Sequence, residues 1–290
     1  MYRHIAKKIL IILILFFVIA CKSFSEQTIP ETCLRYPVLF TQENGTTASG
    51  FYFNYNHKAL YFVTAGHVLF GKNYNPLKLE LKSDKAVLLS YPAPVTIQES
   101  VQLILDLKKL KENGSIKVHP EQDVAVIKIT AEKNNTTTAD LAEGVQKAEG
   151  FKGSLLSAGM DAAKLYDDVK ISNDVFIFGY PTSLGIEVHP QIDFNKPLLR
   201  KGVVAGKNSK NRTIVLDCPV YYGNSGGPCV EVEETDLLNK KFSLIGVVSE
   251  FVPFEEKWVN LKYGLVNSGI ENSGYSIIVP IDYVLELIES

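Results

Sequence analysis

The sequence predicts an all-β protein with one helix at its carboxyl end. Short apolar runs, rich in Val, Ile, Phe and Tyr, recur between turn residues along most of the 290-residue chain, which is typical of β-barrels and β-sandwiches. The last residues, PIDYVLELIES, instead place apolar side chains at positions i, i+3, i+4 and i+7 after Pro280. This spacing predicts a helix over 280–290. A chain of this length can form one large all-β domain or two smaller ones.

The first twenty residues have the pattern of a targeting segment. Three basic residues precede an unbroken apolar run from Ile9 to Ala20, which is short for a transmembrane helix and fits a signal peptide. The run ends in VIAC, and a small residue before Cys21 resembles the lipobox of bacterial lipoproteins. We therefore expect residues 1–20 to be removed and Cys21 to carry a lipid. The alternative is ordinary cleavage nearby, with Cys21 either removed or left unmodified.

A lipidated Cys21 would anchor the protein to a membrane of the bacterial cell envelope, with residues 21–33 as a polar tether. The folded part would then lie in the periplasm or at the cell surface. Export also implies an oxidising compartment, in which cysteines can pair. Cys218 and Cys229 flank a glycine-rich loop and could form a disulfide that clamps its strands, while Cys33 remains open as a partner.

The composition excludes several classes of function. The formal net charge is −2, so the chain has no surplus of basic residues for binding nucleic acid. The sequence contains no P-loop, no dinucleotide-binding glycine pattern, no H-E-x-x-H motif and no Cys/His spacing typical of a zinc site. We therefore expect neither a metal nor an organic cofactor. Nothing in the sequence indicates the oligomeric state.

The strand-like pattern is interrupted once, between residues 131 and 170. The stretch AEKNNTTTADLAEGVQKAEG is polar, and the residues after it lack the alternation of strands until about Val175. We interpret 131–170 as a connection between two β-rich parts, 34–130 and 171–279.

The stretch YYGNSGGPC places Ser225 among three glycines, Gly223, Gly226 and Gly227. Such a stretch is either a tight turn or a nucleophile loop whose backbone N–H groups converge on a reacting oxygen. A nucleophilic serine needs a general base, and histidine is the usual one. All five histidines precede Ser225, which excludes the α/β-hydrolase order of serine first and histidine last.

His67 is the best candidate for the base, because TAGHV presents one imidazole at the end of a hydrophobic strand. Asp123 is the best candidate for the acid that orients the imidazole, because it opens the apolar strand DVAVIKI, where an unpaired acid is costly. A structural histidine and an exposed aspartate are the alternatives. The other histidines lie in the leader, in a predicted hairpin turn, or before prolines in surface loops: His4, His57, His119 and His189.

The motifs TAGHV, DVAVIKI and GNSGGP occur in an order that resembles the chymotrypsin-like serine proteases, most nearly their bacterial members. VFIFGYP and RKGVVAG are similar to strands of the second barrel in that branch. The resemblance extends from about Leu34 to the carboxyl end. It implies an all-β fold of two packed six-stranded β-barrels of chymotrypsin type, at 34–130 and 171–279, with substrate in the cleft between them.

The resemblance also implies roles for the candidate residues. Ser225 would attack a peptide carbonyl, His67 would transfer the proton, and Asp123 would orient His67. The N–H groups of Gly223 and Ser225 would bind the oxyanion. The implied activity is that of a serine endopeptidase acting through an acyl-enzyme on protein or peptide substrates. A catalytically silent binding lipoprotein on the same fold is the alternative, and hydrolysis of small esters is a weaker one.

The remaining expectations concern specificity and activation. The resemblance implies that Pro219 forms the floor of the P1 pocket, that Ser249 supports the buried aspartate, and that Phe251 stands where glycine commonly keeps the pocket open. No acid stands at the floor, so we expect small aliphatic P1 residues rather than Arg or Lys. Asn224 stands where the digestive members have an aspartate that receives a newly cut N-terminus, so we expect no zymogen cleavage.

Overall fold

The computed structural model describes residues 29–71, 78–91, 100–130, 140–181, 189–235 and 239–290. The predicted signal peptide, the predicted lipidation site Cys21 and most of the predicted tether lie outside the described residues. The chain divides into two units, Met1–Cys33 and Leu34–Ser290. The first described element is a short 3-10 helix, Glu31–Arg35. Within the described residues, no helix has the length and apolar character needed to cross a membrane.

In the part of the chain that the structure describes, the amino-terminal half of the larger unit is one sheet of nine strands. Six strands form its body in the order β7-β3-β2-β1-β4-β5, and three strands of two or three residues extend it: β6 beside β7, β8 beside β5, and β9 parallel to β2. The strands are β1 Pro37–Gln42, β2 Thr47–Tyr55, β3 Ala59–Thr64, β4 Lys85–Ser90, β5 Val101–Asp106, β6 Ile116–Val118, β7 Ala125–Lys128, β8 Val145–Lys147 and β9 Ala158–Gly159. The predicted hairpin of β2 and β3 is confirmed, with Asn56 and His57 in its turn at positive φ.

The sheet encloses a hydrophobic core built from its inward-facing residues. Strand β5 shows the alternation most clearly, because every second residue from Val101 to Leu105 is buried and those between are exposed. Phe40 and Phe62 stack within this core with ring centroids 5.8 Å apart. Each fully buried side chain of this size contributes about 1.5–3 kcal/mol to folding.

The carboxyl-terminal half contains a closed barrel of six strands in the order β10-β11-β12-β15-β14-β13. The strands are β10 Asp174–Gly179, β11 Leu198–Asn208, β12 Thr213–Asp217, β13 Pro228–Glu234, β14 Lys240–Asn260 and β15 Leu265–Pro280. Its interior is lined by aliphatic side chains and by the two cysteines Cys218 and Cys229. Strands β14 and β15 are much longer than the others and extend as a pair beyond the barrel.

Within the described residues, three α-helices accompany the strands: α1 Gly66–Phe70, α2 Leu107–Glu112 and α3 Ile281–Glu289. Helix α3 confirms the helix predicted at the carboxyl end, and it buries Ile281, Val284 and Ile288 as the spacing indicates. These residues share one apolar cluster with side chains of the first sheet and of strands β14 and β15. The helix therefore closes the junction between the two halves, and the fold class of two chymotrypsin-type barrels is confirmed.

The segment interpreted as a connection contributes to both halves. Strands β8 and β9 pair with the first sheet. Two further 3-10 helices, Met160–Ala162 and Tyr166–Asp168, follow β9. Lys164 lies between these two helices, and Lys170 follows the second. Both lysines form ion pairs with Glu233 of β13.

The expected Cys218–Cys229 disulfide is not formed. Both residues are free thiols, and so is Cys33. Both side chains pack inside the apolar core of the second barrel. Burial raises the pKa of Cys218 to about 11 and raises that of Cys229 well above its usual value. The loop between them is therefore held by packing and hydrogen bonds rather than by a covalent clamp.

Candidate active site

The motif TAGHV places His67 at the start of a short buried helix. Strand β3 ends at Thr64, and helix α1 begins at Gly66. Helix α1 contributes Val68, Leu69 and Phe70 to the core of the first sheet, whereas the His67 side chain remains 18% exposed. Packing of the helix thus fixes the backbone of His67 while its imidazole reaches the surface between the halves.

Asp123 contacts His67 through both of its carboxylate oxygens. Nδ1 of His67 lies 2.7 Å from Oδ2, and the backbone N–H of His67 donates to Oδ1 at 2.8 Å. Burial raises the pKa of Asp123, but the bonds from His67 and from Ser249 lower it, and the net pKa lies below the usual value. The carboxylate is therefore ionised at neutral pH and holds the imidazole in one orientation.

Ser249 of strand β14 connects the second barrel to this pair. Its hydroxyl donates to Oδ2 of Asp123 at 2.6 Å. Its backbone carbonyl accepts the hydroxyl of Ser225 at 3.1 Å. Ser249 is buried, so these contacts join Asp123 and Ser225 through a rigid strand.

The glycines around Ser225 are required by the geometry of the loop. Gly226 has φ +86, and a Cβ at this position would collide with the carbonyl of Ser49 and the hydroxyl of Thr64. It would also lie 3.0 Å from the backbone nitrogen of Ala65, two residues before His67. The close approach that glycine permits brings the serine loop against the start of helix α1.

Ser49 in strand β2 anchors the loop, and no sequence motif identifies it. Its hydroxyl donates to the carbonyl of Gly223 at 2.6 Å and accepts the N–H of Tyr180 at 2.9 Å. Its own N–H donates to the carbonyl of Ser225 at 3.0 Å. The available signal was a small polar residue inside the otherwise apolar strand ASGFYF.

Within the described residues, the serine loop keeps backbone N–H groups that have no acceptor. Asn224 donates its N–H to the carbonyl of Tyr221, and the N–H groups of Gly226 and Gly227 also have carbonyl acceptors. The N–H groups of Gly223 and Ser225 have no acceptor among the residues that the structure describes. Gly223 adopts φ +92, a conformation that turns its peptide plane as only glycine does readily.

The hydroxyl of Ser225 is not directed at His67 in this structure. Its hydrogen bond within the described residues goes to the Ser249 carbonyl. The side chain is half-buried. A hydroxyl released from the Ser249 carbonyl would need only a rotation about the Cα–Cβ bond to point elsewhere.

The predicted pocket residues lie around the same loop. Phe251 is half-buried and makes an edge contact with the exposed ring of Tyr222, with centroids 6.1 Å apart. Pro219 is half-buried. The next residue, Val220, has its carbonyl held by Nδ2 of Asn272 at 2.6 Å. The aromatic pair includes Tyr222 of the serine loop itself, and the segment with Pro219 leads into that loop.

The remaining described histidines do not contact Asp123. His57 is exposed in the β2–β3 turn, and His189 is exposed near Gln191. His119 differs from the expected surface position: its ring packs on the edge of Tyr283, and Nε2 lies 3.4 Å from Glu286. Helix α3 covers it, which the sequence around His119 does not indicate. In the described part of the chain, no group of three or more His, Cys, Asp or Glu side chains could hold a metal ion.

The two-barrel fold and the position of this site between its halves define a trypsin-like protein. The family described as "Trypsin-like peptidase domain" matches residues 48–238, about two thirds of the chain. The chain belongs to this trypsin-like peptidase family. No curated protein matches its sequence.

Solved structures of proteases are similar to the chain at low sequence identity. One is the Rv3671c protease in its inactive form, at 11% identity and a TM-score of 0.42, covering 88% of each chain. Another is the protease Anisep from Arthrobacter nicotinovorans, at 15% identity and a TM-score of 0.44, covering 85% of this chain and 90% of the other.

Proposed function

We propose that the chain is a serine endopeptidase that cleaves peptide bonds through an acyl-enzyme at Ser225. The observation that carries this proposal is the double hydrogen bond between His67 and Asp123, linked to Ser225 through Ser249. A carboxylate on Nδ1 selects the tautomer whose Nε2 can accept a proton. Membership of a peptidase family supports the substrate class.

In the proposed reaction, the Ser225 hydroxyl leaves the Ser249 carbonyl, turns towards Nε2 of His67 and attacks the substrate carbonyl. A neutral hydrogen bond of this kind contributes about 1 kcal/mol, so its loss is a small barrier. Nε2 takes the serine proton and gives it to the leaving amine, while ionised Asp123 stabilises the imidazolium. Water then attacks the acyl-enzyme and gives its proton to Nε2, which returns a proton to the Ser225 oxygen as the acid product leaves.

The unoccupied N–H groups of Gly223 and Ser225 are the proposed oxyanion donors. Both have no other acceptor within the described residues, and the Ser49 hydroxyl fixes the Gly223 carbonyl between them. Donors that are already fixed stabilise the oxyanion without reorganisation. The loss of one such donor typically costs about 3 kcal/mol of transition-state stabilisation.

For specificity, we propose a shallow apolar P1 pocket with Pro219 at its floor and Phe251 at its side. The edge contact between Phe251 and Tyr222 supports this, because it holds the Phe251 ring beside the serine loop. A ring at this position reduces the depth available to a side chain. Small aliphatic P1 residues are therefore the expected substrates.

A labelling experiment separates the peptidase from the silent binding protein. The alternative is favoured by one observation, the Ser225 hydroxyl that bonds Ser249 instead of His67. A fluorophosphonate probe should modify Ser225, as mapped by peptide mass spectrometry, and His67→Ala should abolish labelling while Ser225 is still present. The exposed turn residue offers a control, since His57→Asn keeps a residue that tolerates positive φ and should label normally.

Absence of a Ser225 adduct on folded protein would overturn the peptidase proposal. Normal labelling combined with turnover of small esters but no cleavage of any peptide library would instead identify an esterase. Cleavage of peptides by the wild-type protein, lost in Ser225→Ala, is the expected result.

We also propose that residues 1–20 are removed and that Cys21 is lipidated, so that the protein is anchored in the cell envelope. The support is the VIAC sequence after the apolar run. Growth of an expressing bacterium with an alkyne fatty acid should label the wild-type protein, and Cys21→Ser should lose the label. A mature N-terminus at another residue, without label, would show ordinary cleavage instead.

A further inference from the structure

Strands β14 and β15 form a ribbon that projects from the second barrel. Strand β13 pairs with β14 only as far as Val247, and β12 pairs with β15 only between Tyr275 and Ile278. Beyond these points the two long strands pair with each other, from Pro253↔Asn272 to Asn260↔Leu265. No other described strand covers the ribbon.

The end of the ribbon, residues 257–266, is strongly apolar and exposed. We call this segment the tip. Its most exposed side chain is Leu261, at 91%. Five other apolar or aromatic residues of the tip are 56–66% exposed: Trp258, Val259, Tyr263, Leu265 and Val266. A soluble surface rarely keeps so many large apolar side chains together without a binding role.

Both faces of the tip are apolar. Trp258 pairs with Asn267, Val259 pairs with Val266, and Asn260 pairs with Leu265. Because side chains alternate along a strand, Trp258 and Leu265 share one face, and Val259 and Val266 share the other. A protein partner or a second copy lying against a ribbon covers one face. An apolar medium that surrounds the end of the ribbon satisfies both faces.

Two backbone N–H groups of the turn have their acceptors within the tip itself. The side-chain oxygen of Asn260 accepts the N–H groups of Lys262 and Tyr263 at 3.1 and 3.2 Å, and its carbonyl accepts that of Tyr263 at 3.2 Å. Backbone groups that enter a lipid phase need such internal partners, since no water is present to replace them.

The ribbon carries basic residues at its tip and acidic residues nearer the barrel. The tip contains Lys257 and Lys262 and no acidic residue, whereas Glu255, Glu256 and Glu271 lie nearer the barrel. Lysines at a membrane surface are attracted to anionic lipid, and tryptophan and tyrosine favour the level of the headgroups. The tip combines both features with aliphatic side chains.

We propose that this tip inserts into the headgroup region of an anionic lipid bilayer. The contact is separate from the lipid proposed on Cys21 and does not depend on it. At about 3.3 Å per residue, strand β14 carries Asn260 roughly 35 Å from Ser249. The inserted ribbon would hold the proposed active site at that order of distance from the lipid surface and restrict the orientation of the cleft.

The experiment uses the only tryptophan of the chain, which is Trp258. The chain from residue 22 contains the complete unit Leu34–Ser290 and no lipidation site. On mixing with vesicles of phosphatidylglycerol and phosphatidylcholine, its emission should shift to the blue and be quenched by lipids brominated on their acyl chains. Vesicles of phosphatidylcholine alone should bind more weakly, because they lack the negative charge.

Matched variants locate the contact. Leu261→Ser should lower the partition coefficient roughly tenfold, because one large apolar side chain is lost from the buried set. Lys262→Glu should weaken binding to the anionic vesicles far more than to the neutral ones. Ile171→Ser removes a side chain that is 56% exposed elsewhere and should bind as the wild type does.

Three results would overturn the proposal. The first is unchanged Trp258 emission with anionic vesicles. The second is equal binding by Leu261→Ser and Ile171→Ser. The third is a blue shift that appears without lipid as the protein concentration rises, together with sedimentation as a dimer, which would assign the tip to a second copy. None of these readouts involves hydrolysis, so each outcome is independent of the proposed peptidase activity.

Discussion

Ser249 and Asp123 are joined by a hydrogen bond of 2.6 Å from the serine hydroxyl to Oδ2, the same oxygen that lies 2.7 Å from Nδ1 of His67. One carboxylate oxygen thus faces donors from both halves of the fold. The negative charge of Asp123 and the orientation of His67 therefore depend on a residue of the second barrel. Ser249 acts in this arrangement as a positioning residue.

Ser249→Ala should lower kcat/KM by roughly tenfold, because a hydrogen bond to a charged group contributes about 1.5–3 kcal/mol. Loss of the donor should raise the pKa of Asp123. Hydrolysis of a peptide substrate as a function of pH measures both effects. Ser243→Ala is the matched control, since Ser243 is buried on the same strand and its hydroxyl has no partner within the described residues. Equal losses in both variants would show that the Asp123 bond is not the cause.

Ser249→Ala should also change the free energy of unfolding at acidic pH. The folded-state pKa of Asp123 is lowered, so its charge stabilises the fold fully above about pH 4, the usual carboxyl pKa. That contribution is lost as the pH falls through the lowered value. In Ser249→Ala the folded-state pKa lies nearer the usual one, so the contribution is smaller and is lost at higher pH. Urea unfolding at a series of acidic pH values compares the two proteins.

The proposed catalytic residues should act as one unit. Ser225→Ala and His67→Ala should each lower kcat by several orders of magnitude, and the double variant should lose little more than either single one. The reason is that the base has no function without the hydroxyl it activates. Steady-state kinetics with circular dichroism to verify folding measures this. A double variant that loses the full product of the single effects would contradict a shared step.

The local parts of this architecture follow from the sequence, because short patterns determine them. TAGHV, DVAVIKI and GNSGGP each place one polar, reactive residue type among apolar residues or glycines. The structure brings two of these residues, His67 and Asp123, into contact. Ser49 could not be found in this way. Its partners Gly223 and Tyr180 are 174 and 131 positions away, so only the folded chain connects them.

Two further features differ from what the sequence predicts, and both depend on contacts between distant parts of the chain. His119 was expected at the surface because a proline follows it, but a helix more than 160 positions later covers it. The tip residues resemble one more apolar strand in the sequence, and nothing in KWVNLKYGLV indicates that the strand has left the barrel. Alternation predicts that a strand exists, whereas its neighbours are decided by pairing over long distances.

Phe251→Gly should widen the proposed P1 pocket. Relative to the wild type, kcat/KM for substrates with large apolar P1 residues should rise roughly tenfold against those with alanine, because one or more methylene groups gain space. A peptide library with a varied P1 position measures this. Phe254→Gly removes an exposed aromatic ring further along the same strand and should leave the preference unchanged. Cleavage mainly after Arg or Lys in the wild type would contradict the pocket assignment.

The buried ion pair of Lys164 and Glu231 should be important for stability. Nζ of Lys164 lies 2.9 Å from Oε2 of Glu231, and their side chains are only 9% and 0% exposed. Lys164→Met leaves the carboxylate buried without its cation, which should lower the free energy of unfolding by about 3–5 kcal/mol. Urea denaturation at neutral pH measures the change.

The control for this pair is an exposed one of similar length. Nζ of Lys201 lies 2.7 Å from Asp174, with the side chains 52% and 39% exposed. Lys201→Met should change the free energy of unfolding by less than about 1 kcal/mol, because solvent screens such pairs. Similar losses in the two variants would mean that burial is not what makes the Lys164 pair important.

Activity should not require cleavage of a precursor to expose a new N-terminus. Asn224 is buried, and its side-chain oxygen accepts the N–H of Tyr221 at 3.0 Å. Its own N–H donates to the Tyr221 carbonyl. Two hydrogen bonds between Asn224 and Tyr221 therefore close this turn of the loop. A neutral amide cannot form the charge-assisted bond that an inserted amine needs. The bonds from Ser49 and Asn224 should therefore order the oxyanion donors as soon as the chain folds.

The test compares the chain from residue 22 carrying a blocking N-terminal tag with the same protein after removal of the tag. Both forms should hydrolyse peptides at the same rate. Asn224→Ala should lower kcat by roughly tenfold or more without changing the response to the tag, because it removes the buried acceptor that holds the Tyr221 N–H. Activity that appears only after trimming would show that a free N-terminus orders the loop, and full activity of Asn224→Ala would show that Asn224 does not.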